Sequence, residues 1–191
     1  MSKKNLLHLL AIIMVAMLSV GFASCGDDED DNLTPNGHSA NPETPADPEG
    51  TIIANLSCES RLDFSGMPFN SYSSGVKLSK DYNFLTSDTY YWVGNSSYIR
   101  YFSDIVSIGS VNGLSFITKV PEKGWTDNSA AVSGYGYVVR YKYGYFPSRE
   151  EAIDADADAL PNVVYVRLYV TDYITNNSDG GCTIKYQVWN P

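Results

Sequence analysis

Histidine is nearly missing from this chain of 191 residues: there are only His8 and His38, and none at all from Thr51 to Pro191. That absence excludes a Ser-His-Asp or Cys-His triad in the C-terminal three quarters, and with it a conventional histidine-containing zinc or haem site. Acid–base work there would fall to Asp, Glu, Lys or Tyr. Basic clusters are lacking too, since no stripe of Lys or Arg runs along any stretch, which argues against nucleic acid as a partner. A long apolar run is missing as well. Leu6 to Val20 is broken by His8 and Ser19 and is followed by Gly21, Ser24 and the acidic run Asp27 to Asp31. A helix crossing a bilayer needs roughly 20 apolar residues, more than this run supplies.

What the first 24 residues do contain is Lys3 and Lys4, a short greasy segment and small residues at its end. Those are the parts of a secretory signal peptide, so residues 1–24 are expected to be one. The small pair Ala23-Ser24 before Cys25 resembles the lipobox of bacterial lipoproteins, with Phe22 standing where an aliphatic residue is usual. The resemblance implies cleavage before Cys25 and acylation of its thiol and new amine. Several acyl chains on one residue suffice for stable anchoring, at about 0.8 kcal/mol per buried CH₂. Asp27 to Asp31 resembles the acidic export signal that follows the lipidated cysteine in Bacteroidetes surface lipoproteins. The location this implies is the outer membrane, lipid-anchored, facing outward at the cell surface.

Residues 25–50 read as a linker: Pro35, Pro42, Pro45 and Pro48 favour extended backbone, and large apolar residues are almost absent. Charge divides at the same boundary. The linker carries eight acids and no Lys or Arg, leaving Thr51 to Pro191 with fourteen acidic against eleven basic residues, a net of −3 out of the chain's −9. The overall charge therefore says little about partners of the domain. Residues 51–191 match the commonest size for a single domain.

All 15 tyrosines and all 3 tryptophans fall within that domain. Runs of Tyr, Val, Ile, Thr and Phe bounded by Gly, Asn, Asp and Ser predict strands over Thr51–Ser57, Gly75–Ser79, Asn83–Thr86, Tyr90–Val93, Tyr98–Phe102, Ile105–Ile108, Ser115–Val120, Tyr135–Tyr143, Val163–Tyr173 and Cys182–Trp189. Alternation is clearest in two of them. Arg140 and Lys142 share one face of Tyr135–Tyr143, while Val164, Val166, Leu168 and Val170 oppose Tyr165, Arg167 and Tyr169. A half-polar second face suits an antiparallel sheet packed on one side. The turn residues Asn176 to Gly181 predict a hairpin joining the last two strands. Ser148-Arg-Glu-Glu151 is a capping-box pattern that starts one helix, expected to continue until Pro161. The expected fold is all-β: an antiparallel β-sandwich or strongly bent sheet with one short helix.

The succession Val111-Asn-Gly-Leu114, Lys123-Gly-Trp125, Gly134 to Arg140, Tyr165 to Val170 with Asp172, and Gly180-Gly181 before Lys185-Tyr-Gln187 resembles a family of small Bacteroides surface lipoproteins, a domain of unknown function. The match spans about Val106 to Gln187. Tyr173 departs from an expected Trp, and the acidic stretch around Asp154 is atypical. The resemblance agrees with a surface lipoprotein and assigns no catalytic residue.

Four chemistries remain to weigh. Gly134-Tyr-Gly136 is no dinucleotide loop, because Val139 occupies the third glycine position and the context is a strand. Asp154, Asp156 and Asp158 invite a calcium reading, yet Ala159 and Tyr165 stand where an EF-hand needs Gly and Glu. On a helix Asp154 and Asp158 would share one face with Asp156 opposite, a solvated face; a calcium site requires the helix to end before Asp154. With Cys25 lipidated, Cys58 and Cys182 are left as either a disulfide or two buried thiols. A bridge would require the first strand to lie beside the last.

The aromatic residues carry the positive hint. Tyr165 and Tyr169 flanking Arg167, with Trp125 and Asn128 on a nearby loop, would make a platform that stacks on sugar rings; the alternative is that these tyrosines fill core edges. The expected function is non-enzymatic binding at the cell surface, of a glycan or of another surface protein, without a cofactor. A structural or accessory subunit of an outer-membrane assembly is the alternative, and a carboxylate-dependent hydrolase a third.

Overall fold

A computed structural model describes residues 45–68, 75–95, 97–174 and 180–191. The expected signal peptide, Cys25 and most of the expected linker lie outside the described residues, as do positions 175–179 of the expected hairpin turn. Ten strands follow in chain order: β1 (Ile52–Ser57), β2 (Arg61–Asp63), β3 (Gly75–Leu78), β4 (Asn83–Leu85), β5 (Asp88–Gly94), β6 (Ser97–Ser110), β7 (Asn128–Ala130), β8 (Tyr135–Phe146), β9 (Asn162–Ile174) and β10 (Gly181–Trp189). One short helix, α1 (Arg149–Asp154), sits between β8 and β9.

The strands form a six-stranded antiparallel sheet in the order β1-β10-β9-β8-β6-β5 and a four-stranded sheet in the order β2-β3-β4-β7. The large sheet curls into a half-barrel, as the strongly bent alternative anticipated. Its inner face is the alternating apolar set of the long strands. Val139, Tyr141, Val166, Leu168, Val170, Ile184 and Tyr186 are all nearly inaccessible, and the small sheet brings Val76, Leu78 and Phe84 against them. Burying this much apolar surface is the main stabilising term for the fold.

The expected strands Tyr98–Phe102 and Ile105–Ile108 are one strand of 14 residues. Ser103 and Asp104 between them have turn chemistry, but their polar groups are satisfied inside the sheet. Ser103 Oγ donates to the Ser87 carbonyl at 2.8 Å and accepts the Ser87 N–H at 2.8 Å, while Asp104 meets Arg140 on β8. The expected strand Ser115–Val120 does not form. Leu114–Phe116 is a single 3₁₀ turn, and Leu114 and Ile117 turn inward to a second, smaller apolar cluster on the outer face of the large sheet.

The helix begins as expected, with Ser148 Oγ accepting the Glu151 N–H at 3.2 Å. Glu151 reaches the Ser148 hydroxyl at 3.1 Å, so the reciprocal half of the capping box is made to the side chain. It ends at Asp154, well before Pro161. Ala155 is extended, and Asp156 opens a separate 3₁₀ turn over Ala157–Ala159. Residues ahead of the expected domain boundary at 51 also pack on the domain. Asp47 pairs with Lys185 at 2.6 Å, and Gln187 donates to the Glu49 carbonyl, so the end of the linker is pinned to β10.

Candidate functional site

Register decides which side chains meet on the outer face. Trp189 of β10 lies opposite Tyr165 of β9, Tyr165 opposite Arg140 of β8, and Arg140 opposite Asp104 of β6. The next row runs Gln187, Arg167, Val138, Val106, and the one after it carries Ile53, Lys185, Tyr169 and Gly136. Residues opposite one another in an antiparallel sheet share a face, so these rows form a continuous surface.

The segment between β6 and β7 packs over part of that surface. It is tied at its end by the bridge between Ile105 and Thr126, with backbone bonds of 2.8 and 2.9 Å, and at its middle by Arg167, whose Nη1 donates to the Ile117 carbonyl at 3.0 Å. Trp125 Nε1 donates to the Pro121 carbonyl at 3.1 Å, which fixes the indole plane. Arg140 lies over that ring at 4.3 Å from its centroid, and Tyr165 stands 6.5 Å from it in a tilted pair. On the far side Arg167 lies 5.4 Å from the Trp189 ring. Two guanidinium–indole stacks thus flank Tyr165 on one face. Such stacks contribute about 0.5–2 kcal/mol each, more where water is excluded.

The two arginines differ in how their charge is met. Arg140 holds Asp104 bidentately, with Nε to Oδ1 at 3.0 Å and a second, short contact from Nη2 to Oδ2. Arg167 meets neutral oxygens: Nε donates to Gln187 Oε1 at 2.8 Å, Nη2 to the same oxygen, and Nη1 to the Ile117 carbonyl. Burial pulls the Arg167 guanidinium below its ordinary pKa, because a charge removed from water is disfavoured.

Of the residues anticipated as ligand contacts, Trp125, Tyr165, Arg167 and Tyr169 come together here. All four are half-buried, and the three aromatic rings also pack against the cluster of Val106, Leu114, Ile117 and Val138. They therefore serve the second core and present their remaining surface outward. Asn128 does not join them. It lies on β7 of the small sheet, exposed, with Nδ2 donating to Asp127 Oδ1 at 2.7 Å. Arg140 and Trp189 belong to the face but were missed, because only strand register places them beside Tyr165. Next to the platform, Ile108, Phe116, Ile117, Lys119 and Pro121 line a groove of about 450 Å³.

The aspartates of 154–158 do not share a helix face. Asp154 ends α1, Asp156 accepts the Asp158 N–H at 3.0 Å, and Asp158 turns to Lys142 at 2.6 Å. The Lys142 hydrogen bond holds the Asp158 carboxyl below the usual range. Each acid takes a separate partner or direction, and no group of three or more metal-ligating side chains converges among the described residues.

Cys58 and Cys182 are neighbours, as a bridge would require. Leu56 of β1 lies opposite Cys182 of β10, and Cys58 N–H donates to the Gly180 carbonyl at 3.2 Å. The structure holds both as buried thiols. Burial, and secondarily the adjacent Cys58, pushes the Cys182 thiol up to about 12, which disfavours its thiolate at neutral pH.

No family model, curated protein or solved structure matches the chain.

Proposed function

We propose that this chain is a lipid-anchored, cell-surface binding protein without enzymatic activity, and that the outer face around Tyr165 takes a glycan. The observation that carries the reading is the in-register row of Trp189, Tyr165 and Arg140 with Trp125 stacked above it. Flat apolar rings fixed by packing and hydrogen bonds suit the C–H faces of sugar rings, and pre-fixed contacts lose little entropy on binding. The signal-peptide pattern, the lipobox-like Ala23-Ser24-Cys25 and the acidic run behind it support the location.

Two measurements test this. A panel of polysaccharides in native affinity gels should retard the protein with at least one member, and Tyr165→Ala should weaken that retardation roughly tenfold, the equivalent of about 1.4 kcal/mol. Unchanged mobility with every polysaccharide would remove the glycan reading. For the anchor, metabolic labelling with a radioactive fatty acid should mark the wild type and leave Cys25→Ser unlabelled; equal labelling of both would place any lipid elsewhere.

A second reading, an accessory subunit of an outer-membrane assembly, is favoured by β5. This strand forms an edge of the large sheet and shows Trp92 at 64% exposure and Val93 at 40%. Exposed apolar edges are sites for pairing with another chain.

A further inference from the structure

Arg167 is set apart from the other cations of the sheet. Arg100, Arg140, Lys142 and Lys185 of the large sheet each meet a carboxylate: Asp88, Asp104, Asp158 and Asp47 respectively. Among the described residues no carboxylate lies within ion-pair distance of Arg167, although its guanidinium is half-buried and fixed at three points. A guanidinium has five N–H donors. Gln187 and the Ile117 carbonyl take three of them, all to neutral oxygens, so two donors are left over and the charge, stacked on the Trp189 ring, has no counter-anion. A partly desolvated charge that is only hydrogen-bonded, never paired, costs folding energy that an incoming anion would offset. Arg140, one row away, is already neutralised by Asp104, so along these strand rows the open charge is that of Arg167.

That charge lies between Tyr165 and Tyr169 on β9 and beside the Trp189 ring. In the chair form of a common uronic acid the C5 carboxylate is equatorial and projects from the ring edge. A sugar stacked on Tyr165 or Trp189 therefore directs such a carboxylate sideways, toward the guanidinium. The planar fork of arginine matches a carboxylate in a way that a lysine point charge does not.

We propose that Arg167 selects an acidic, uronate-bearing polysaccharide, with Tyr165 and Trp189 taking the ring and Arg167 its carboxylate. This rests on the reading of the outer face as a glycan site and specifies the class of glycan. Lys185 on the neighbouring row is occupied by Asp47, so among the strand residues of this face recognition of the carboxylate falls to Arg167.

The test uses the purified full-length protein in detergent, with calorimetric titration at low salt against polygalacturonate, hyaluronate and alginate. Each polymer is paired with its carboxyl-reduced, neutral counterpart. At least one acidic polymer should bind, its reduced form at least tenfold more weakly. Arg167→Gln should lose the same factor while its circular dichroism still shows the folded β-sheet, and Arg167→Lys should fall between. The wild-type comparison needs no variant, so a misfolded Arg167→Gln would not blunt it. Equal binding of an acidic polymer and its reduced form would overturn the inference and leave the glycan reading standing, as would binding confined to neutral glycans. Equal binding of poly-L-glutamate would show charge without sugar recognition and overturn it too. Failure of every glycan, acidic and neutral, would overturn both.

Discussion

Gly75→Ala is expected to lower the stability of the domain by about 3 kcal/mol, near the upper end for adding one methyl group to a packed site. A Cβ at Gly75 would sit 1.2 Å from the Leu62 carbonyl oxygen, 2.2 Å from its carbon and 2.9 Å from Asp63 Cα. All three are backbone atoms of β2, and no rotamer change can clear them. The only relief is to part β2 from β3, which gives up the pairing of Asp63 with Gly75 and withdraws Leu62 from the apolar core. Gly136→Ala is the matched comparison. Its Cβ would meet Ile117 Cδ1 at 2.8 Å and Ile117 Cγ1 and Val111 Cγ2 at 3.0 Å, all side-chain atoms that can shift where backbone cannot, so about 1 kcal/mol is expected. Urea denaturation of both variants measures the difference. A Gly75→Ala protein within about 0.5 kcal/mol of wild type, the spread of ordinary surface changes, would mean that β2 is not held against β3 as described.

Asp104→Ala should cost a similar amount, about 3 kcal/mol, for an electrostatic reason. Asp104 is 6% exposed and accepts both bonds from Arg140, whose side chain is only 22% exposed. Removing the acid strands a largely desolvated guanidinium, and breaking one partner of such a pair typically costs about 3–5 kcal/mol. The stranded Arg140 would also leave its place over Trp125, loosening the segment that covers the outer face. Tryptophan emission should therefore shift along with the unfolding midpoint. The double variant Asp104→Ala with Arg140→Met should be more stable than Asp104→Ala alone, because no charge is then left unpaired. Simple addition of the two single costs would argue that the residues act independently.

Part of this architecture can be read directly from residue order. The alternation in Tyr135–Tyr143 and Val163–Tyr173 locates the two central strands, and Ser148 marks the start of α1, because those signals are local. The long strand β6 looks divided, because Ser103 and Asp104 find their partners at Ser87 and Arg140, far along the chain. The same limit applies to the candidate site. Tyr165, Arg167 and Tyr169 share a face by simple alternation, so that part was legible. Trp189 and Arg140 join them only through the register of β10 and β8 against β9, which no local pattern encodes. Asn128 was drawn in by its closeness to Trp125 in sequence, and the bridge at Thr126 carries it to the other sheet.

The clasp between the linker and β10 has a mechanical side. Lys185 holds Asp47 and Gln187 holds the Glu49 carbonyl, just ahead of the edge strand β1. If Cys25 carries the proposed lipid anchor, drag from flow or from a bound polymer would arrive along this stretch of chain. The 22 residues from Cys25 to Asp47 give a leash of at most about 75 Å. Were it drawn taut, the load would fall first on the two β10 contacts and only afterwards on the hydrogen bonds that β1 shares with β10. Under the proposed anchoring the clasp would act as a strain relief, sparing the edge strand from being peeled away one bond at a time.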